Sequence, residues 1–359
     1  MIRVLVVDDS VVAREFLVHI LTSDPDLEVI GTAHDGEAAL EAAAQFKPDV
    51  ITMDVNMPRM NGFEATRRIM ETHPTPIVIV TASWEPVEVA ASFRALEAGA
   101  LAIIQRPRGI GHPDYETTAK ELVQTVKLMS EVKVVRRWKR TPEDQPAKAP
   151  AVPLAGMETK ATPAAVQIVA IGVSTGGPQV LQAILSRLPK NFPMPVLIVQ
   201  HMAAGFMPGF GEWLTQATGF PVHVAAHGQS LLPGHVYLAP DGFHMGVDGR
   251  GRIALSQDAP ETGLRPSASH LFRSVANVYG PKAIGVLLTG MGRDGAQELK
   301  LMKEKGAITL AQDEESSVVH GMPGEAIRLQ AATYVLPPEK IADALAAWTN
   351  RRPGGAESG

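Results

Sequence analysis

The sequence predicts an α/β protein of two domains, each built on a mainly parallel sheet, and three observations carry that expectation. The chain has 359 residues, longer than the roughly 250–300 at which a single hydrophobic core stops growing. In both halves, short runs rich in Val and Ile alternate with amphipathic stretches, the pattern of β/α units whose strands are buried on both faces. Between the halves, Pro142, Pro146, Pro150, Pro153 and Pro163 fall within 22 residues, and residues 139–165 contain no aromatic. Such a segment buries little and reads as a semi-extended linker. The expected organisation is a domain over 1–125, a linker over 126–165 and a second domain over 166–350.

Composition narrows the chemistry. Apolar residues make up 45% and charged residues 20% of the chain, enough for a core in each half, so disorder as the overall state is excluded. There is no cysteine, which removes disulfide scaffolds, thiolate zinc sites and cysteine nucleophiles together. A net charge of -5 leaves no whole-protein footprint for nucleic acid, and residues 166–359, with 15 acids and 15 bases, hold no basic recognition helix. Residues 1–130 are the acidic part, with 19 acids against 11 bases. Lys133, Arg136, Arg137, Lys139 and Arg140 surround Trp138; they read as a solvated helix end rather than a docking patch for an acidic partner. Runs such as Val4–Val7 and Val196–Val199 are far below the roughly 18 residues of a membrane helix. The N-terminus enters a strand-like segment without a secretory signal, so the expected location is cytoplasmic, with no membrane insertion. The tail Arg351–Gly359 is Gly-rich and expected to fray.

In the first half the expected strands are Arg3–Val7, Val29–Ala33, Val50–Met53, Ile77–Thr81 and Leu101–Ile104, with helices between them. Sites in parallel sheets gather beyond the carboxyl ends of the strands. Asp8 and Asp9 follow the first strand, Asp54 the third, Thr81 closes the fourth, and Arg106 with Pro107 follows the fifth. Carboxylates brought that close repel one another and need a cation, and an all-oxygen set suits magnesium. Magnesium beside a carboxylate is also what acyl-phosphate formation requires. Thr81 can bind a phosphoryl oxygen and Arg106 can pair with it. The plain alternative, separate caps on separate loops, explains any one Asp but not the joint pattern.

Val4-Leu5-Val6-Val7-Asp8-Asp9-Ser10, Met53 to Gly62 (MDVNMPRMNG), Thr81-Ala82 and Arg106-Pro107 together resemble the response-regulator receiver domain over residues 1 to about 125. The resemblance implies a flavodoxin-like doubly wound parallel sheet. It implies that Asp54 accepts phosphate from a sensor histidine kinase, that Asp8, Asp9, Asp54 and the Asn56 carbonyl hold Mg2+, and that Thr81 senses the phosphoryl group. Two positions depart from the family. Arg106 replaces its usual Lys, a bulkier and planar cation, and Ile103 stands where an aromatic is common.

The second half opens with the strand Val166–Val173, then Gly172-Val173-Ser174-Thr175-Gly176-Gly177-Pro178 and a helix to about Leu188. A serine on a tight strand-to-helix turn is exposed beside helix N-terminal amides, which suits a nucleophile and an anionic intermediate. A Gly-rich phosphate cradle and a plain loop fit the same segment. Of seven histidines in this half, His201 directly follows the strand Pro195–Gln200, which places it on the same sheet edge as Ser174. His223 reads as a packed or surface strand residue, and His227 and His235 flank a turn. For the acid that orients the base, Asp294 follows the strand Ala283–Thr289 and Asp241 follows Val236–Ala239; both qualify, with Asp294 modestly preferred. In the resulting arrangement Ser174 attacks a carbonyl, His201 carries the proton and the acid fixes its tautomer. Gly-x-Ser-x-Gly also suggests an α/β-hydrolase, but that fold places its acid before its histidine. It would need Asp241 or Asp258 with His270 or His320.

This half also carries Gln200-His201-Met202, Arg265-Pro266-Ser267, Leu271-Phe272-Arg273-Ser274, Thr289 to Ala296 (TGMGRDGA), Ala311 to Glu314 and Gly321-Met322-Pro323. With the serine turn, these resemble the catalytic domain of the chemotaxis protein-glutamate methylesterase (CheB) family over about 166–348. The resemblance implies an α/β methylesterase domain with a mainly parallel sheet. It also implies hydrolysis of glutamate γ-methyl esters on the cytoplasmic helices of methylated chemoreceptors, releasing methanol, with deamidation of receptor glutamines. It assigns Ser174, His201 and Asp294 as the triad, with the Met291 amide near the oxyanion and no cofactor in this domain. Ser269-His270 replaces an expected Asp-apolar pair and His320 a usual aromatic, departures expected to bear on substrate contacts. An acidic switch fused to a hydrolytic unit predicts that the receiver gates access to Ser174. A non-enzymatic docking protein is the contrasting class, disfavoured by the intact Ser174, His201, Asp294 set.

Overall fold

The computed structural model describes residues 1–82, 93–132, 134 and 166–349. The five linker prolines, the basic cluster around Trp138 and the tail from Arg351 lie outside the described residues.

In the first half, strands β1 (Ile2–Val7), β2 (Leu27–Ala33), β3 (Val50–Met53), β4 (Ile77–Thr81) and β5 (Ala102–Gln105) form one sheet in the order β2-β1-β3-β4-β5. Every pair in it is parallel. The helices are α1 (Val11–Thr22), α2 (Gly36–Phe46), α3 (Gly62–Thr72), α4 (93–98) and α5 (Tyr115–Ser130). Side chains on a strand point alternately to its two faces, so β1 feeds both layers. Val4 and Val6 join Leu17, Leu21, Leu122 and Val126, while Leu5 and Val7 join Ala39, Ala43, Ala65 and Ile69. Ser10, Asp35 and Asn61 cap α1, α2 and α3 through side-chain oxygens that accept from Ala13, Ala38 and Glu64 amides. Helix α5 continues past residue 125, the expected end of this domain, to Ser130.

The second half holds β6 (Ile168–Val173), α6 (Gly177–Arg187), β7 (Val196–Gln200), α7 (Met207–Thr218), β8 (Val222–Val224) and β9 (Val236–Leu238). After the hairpin β10 (His244–Val247) and β11 (Ile253–Ser256) come α8 (Ala268–Tyr279), β12 (Ala283–Leu287), α9 (Ala296–Glu304) and β13 (Ile308–Gln312). The chain then forms α10 (Met322–Arg328), β14 (Tyr334–Leu336) and α11 (Pro338–Thr349). Seven strands pair in the order β14-β13-β12-β6-β7-β9-β8, all parallel, and β10–β11 stands apart as an antiparallel pair. Strand β12 ends at Leu287, two residues before the expected Thr289, although the Leu288 N–H still donates to the Gly172 carbonyl and the Thr289 carbonyl accepts the Ser174 N–H. Gly172 on β6 admits α8: a Cβ there would sit 2.7 Å from that of Ala268.

Strand order fixes where chemistry can sit. In each sheet one adjacent pair sends its following connections outward in opposite directions, β1 and β3 in the first and β6 and β12 in the second. Loops leaving such a pair diverge to opposite faces and open a crevice beyond the carboxyl ends. The halves also touch. Phe93 of α4 lies 5.3 Å from Phe210 and 5.4 Å from Trp213 between ring centroids, both on α7. Trp213 Nε1 donates to Glu97 Oε1 at 2.9 Å, and Gln179 Nε2 on α6 donates to the Leu96 and Ala100 carbonyls at 3.0 and 2.6 Å.

Candidate functional site

At the first crevice the chain brings together the residues expected there. Asp54 is delivered by β3, its N–H donating to the Val7 carbonyl of β1 at 2.9 Å. Gly62 lets α3 start against this turn, since a Cβ would fall 2.0 Å from the Asp54 carbonyl oxygen. Ligand oxygens of Asp8, Asp9 and Asp54 lie within 4.8 Å of one another. Burial above all, then the Asp8 carboxylate, pushes Asp54 up to about 7; burial likewise raises Asp8. Asp8 Oδ1 accepts the Ser10 N–H at 2.9 Å, whereas Oδ2 is buried without a hydrogen-bond partner. The nearest cation to Oδ2 is Arg106, whose Nη1 is 3.5 Å away. An unsatisfied carboxylate oxygen among mutually repelling carboxylates fits a hard cation with oxygen ligands, as magnesium requires. Thr81 is buried, its carbonyl accepting the Arg106 N–H at 2.8 Å, and Asn56 is exposed two residues beyond Asp54.

At the second crevice Ser174 leaves β6 and α6 starts three residues later. Gly176 takes φ +79°, the left-handed region that glycine enters without strain, and a Cβ there would strike Val318 at 2.6 Å. The Ser174 N–H donates to the Thr289 carbonyl at 2.9 Å, tying the turn to the β12 exit. Val173 pairs with Gln200 across β6 and β7, so Ser174 and His201 are the next residues beyond that pair. His201 Nε2 lies 2.9 Å from Asp294 Oδ2, which leaves Nδ1 as the ring nitrogen for a nucleophile. Asp294 also accepts from Ser267 Oγ at 2.7 Å and from the Ala268 and Ser269 amides at 2.6 and 3.1 Å. It sits on the N-terminus of α8, where backbone N–H groups favour an anion. Burial alone would raise its proton affinity, but the bonds from His201, Ser267 and Ser269 outweigh it and hold the carboxyl well below the usual range. The Met291 N–H has no hydrogen-bond partner among the described residues, and neighbouring Gly290 packs so close that a Cβ would fall 2.6 Å from Ser174 Cβ. A buried carboxylate, an imidazole and a hydroxyl in this order are equipped for acyl transfer.

The competing residues are engaged elsewhere. Asp241 accepts the Gly205 N–H at 2.6 Å, and Asp258 accepts from Ser256 Oγ. His270 faces Glu261 and His320 faces Ser317, so the acid-then-histidine order of an α/β-hydrolase is not assembled. Ser269 needs a correction: it was expected to bear on substrate, yet its N–H donates to Asp294 and its Oγ accepts the Gly295 N–H at 2.9 Å. It holds the acid loop. Sequence reasoning quoted Thr289 and Gln312 within motifs but gave them no role: Thr289 Oγ1 donates to the Thr175 carbonyl, and Gln312 Oε1 accepts the Thr289 N–H. It also gave Gln200 no role. A signal existed, because Gln200 and Gln312 each end an otherwise apolar or β-branched strand.

The models of known families match twice: the response regulator receiver domain over residues 4–111 and the CheB methylesterase over 169–345. A protein-glutamate methylesterase/protein-glutamine glutaminase of Nitrosospira multiformis is 61% identical over 96% of each chain. The chain belongs to the CheB methylesterase family. A second member, the protein-glutamate methylesterase/protein-glutamine glutaminase 1 of Syntrophus aciditrophicus, is 58% identical over 96% of this chain and 97% of its own. Among solved structures, the CheB methylesterase catalytic domain of Thermotoga maritima shares 38% identity with a TM-score of 0.50. It covers 51% of this chain and 99% of that domain. Both halves thus align with the two CheB-family modules, and no helix among the described residues is long and apolar enough to cross a membrane.

Proposed function

We infer that the chain is a phosphorylation-regulated protein-glutamate methylesterase and protein-glutamine glutaminase of chemotaxis adaptation, acting in the cytoplasm. The observation that carries this reading is the His201–Asp294 pair on the edge next to Ser174. In the proposed mechanism Ser174 Oγ attacks the γ-carbonyl carbon of a receptor glutamate methyl ester while its proton passes to His201. Asp294, kept ionised by four donors, stabilises the imidazolium that forms. The Met291 amide faces the developing oxyanion. Collapse of the tetrahedral intermediate breaks the bond to the methoxy oxygen, which takes the proton from His201 and leaves as methanol. Water, deprotonated by His201, then attacks the acyl-serine, freeing the glutamate and returning the proton to Ser174. A glutamine side chain follows the same course with ammonia as leaving group.

The regulatory half of the proposal places Asp54 as the phosphoryl acceptor from a sensor histidine kinase, with Asp8, Asp9, Asp54 and the Asn56 carbonyl as the magnesium set. When bound, the ion supplies charge neutralisation at the phosphoryl oxygens. Thr81 and Arg106 then contact the phosphoryl group, Arg106 exchanging its pairing with Asp8 for the new anion. The route to the second site is short. Helix α4 follows β4, which ends at Thr81, and α4 packs on α6 and α7, the helices that leave the Ser174 and His201 loops. Val318, against which Gly176 closes, also packs on the cluster holding Leu101 and Ile104 of the receiver. The domain division proposed is 1–125, with α5 carried to Ser130, and 166–350. Methanol release from methylated receptor, absent in Ser174→Ala, tests the chemistry; release retained by that variant overturns it.

A further inference from the structure

We propose that Gln200 is a positioning residue for acyl transfer, locking the nucleophile turn to the base; the proposal rests on Ser174 and His201 acting as nucleophile and base. Gln200 ends β7 and is 2% exposed. Its Nε2 donates to the Ser174 carbonyl at 2.9 Å and to the His201 carbonyl at 2.8 Å. One amide group therefore ties together the main chain of both residues, which lie on loops that follow different strands. The amide orientation is settled by its partners. Exchanging oxygen for nitrogen would set Oε1 against two carbonyl oxygens with no donor between them.

The other end of the side chain shows what the glutamine is for. Oε1 is buried without a hydrogen-bond partner, and it presses so close to Gly177 that a Cβ there would fall 2.1 Å away. An apolar side chain of the same length would fill this space without stranding a polar atom. What glutamine adds is the two donated bonds, and both end on the catalytic loops. The consequence reaches the reacting atoms through the peptide between Ser174 and Thr175. That unit is planar and trans, so its C=O and N–H point in opposite directions. The Ser174 carbonyl accepts from Gln200 Nε2 and from the Gly177 N–H, both at 2.9 Å, and this pair of donors turns the Thr175 N–H the other way. With the Ser174 N–H held by Thr289, the nucleophile is pinned on both sides. In the strand-to-helix serine turn of α/β-hydrolases the amide after the nucleophile donates to the oxyanion; Thr175 carries the corresponding amide here, next to that of Met291 in the proposed mechanism, and a misplacement of about 1 Å can cost about 100-fold in rate.

The test uses the full-length chain with Gln200→Met, which keeps length but donates nothing. Gln200→Leu, which removes both donors without adding a titratable group, serves as a second variant in case the first fails to fold. A serine-directed phosphonofluoridate reports the rate and the final stoichiometry of Ser174 labelling, and methanol release from methylated receptor gives kcat and KM separately. The proposal expects the same final labelling as the unaltered chain, with labelling rate and kcat both lowered about 10- to 100-fold and KM within about twofold. A merely structural role would lower the final stoichiometry at an unchanged rate. That pattern, or rates within about twofold of the unaltered chain, overturns the proposal. Equal labelling of Ser174→Ala would instead reject the nucleophile itself.

Discussion

Asp8 and Asp294 occupy comparable places, each beyond the carboxyl end of a buried parallel strand in the pair whose connections diverge, and each is buried, at 1% and 2% exposure. Their surroundings are opposite. Asp8 has an oxygen without a hydrogen-bond partner, two further carboxylates within reach and one guanidinium at 3.5 Å, so its charge is only partly compensated. Asp294 has four donors and the start of a helix, and its charge is fully held. The same architecture thus builds a site with spare negative charge, suited to a cation and a phosphoryl group, and a site with a fixed anion, suited to orienting an imidazole. The difference lies in the partners that later segments supply: α8 reaches Asp294, while among the described residues Arg106, at 3.5 Å, is the one cation paired with Asp8 Oδ2.

The largest effect expected follows from removing the nucleophile. Ser174→Ala should lower methanol release by about 10⁴-fold or more, with Asp54 still accepting phosphate from a small acyl-phosphate donor, measured by label incorporation. Asp294→Asn should follow, costing about 10³-fold or more in kcat, because the amide can present its NH2 to His201 and favour the wrong tautomer. At the acidic site Asp54→Asn should leave the basal rate of methanol release intact and remove its stimulation by phosphodonor, as should chelation of magnesium. A smaller effect is expected at the contact between the halves. Trp213→Phe keeps the stacking on Phe93 but loses the bond to Glu97, worth about 1 kcal/mol. With the receiver gating Ser174 through this contact, the unstimulated rate should rise by up to about 5-fold.

Stability gives the finest contrast, because the two carboxylates respond to pH with opposite signs. In chelator, Asp54 binds its proton more tightly folded than unfolded, so it lowers stability progressively as pH rises from its ordinary value of 3.8 to about 7. Asp294 is depressed, so its contribution is present above its ordinary value and is lost as pH falls below it. Thermal melting at pH 8 without metal should therefore show Asp54→Asn more stable than the unaltered chain and Asp294→Asn less stable.

Much of this was legible in the sequence because apolar strands announce themselves and chemistry collects where they end. The expected first-half strands match β1 to β5 within two residues at each end, and Asp8, Asp54, Ser174, His201 and Asp294 all stand directly beyond a strand or on the loop that follows it. What stayed hidden depends on approach between distant segments. Nothing near Ser267 or Ser269 indicates that α8 would cap Asp294, some 25 residues on. The three-residue strands β8 and β14 are too short for a period to register. Gln200 was visible as the polar end of an apolar run, but its two carbonyl partners follow only from the pairing of β6 with β7.

The central claim is that a charge added at the first crevice controls acyl transfer at the second. Methanol release by the intact chain from methylated receptor, followed before and after magnesium and a small acyl-phosphate donor are added, tests it directly. The account predicts a slow initial rate that accelerates on addition, and no acceleration in Asp54→Asn. An unchanged rate in the intact chain, or the same acceleration in Asp54→Asn, would contradict it.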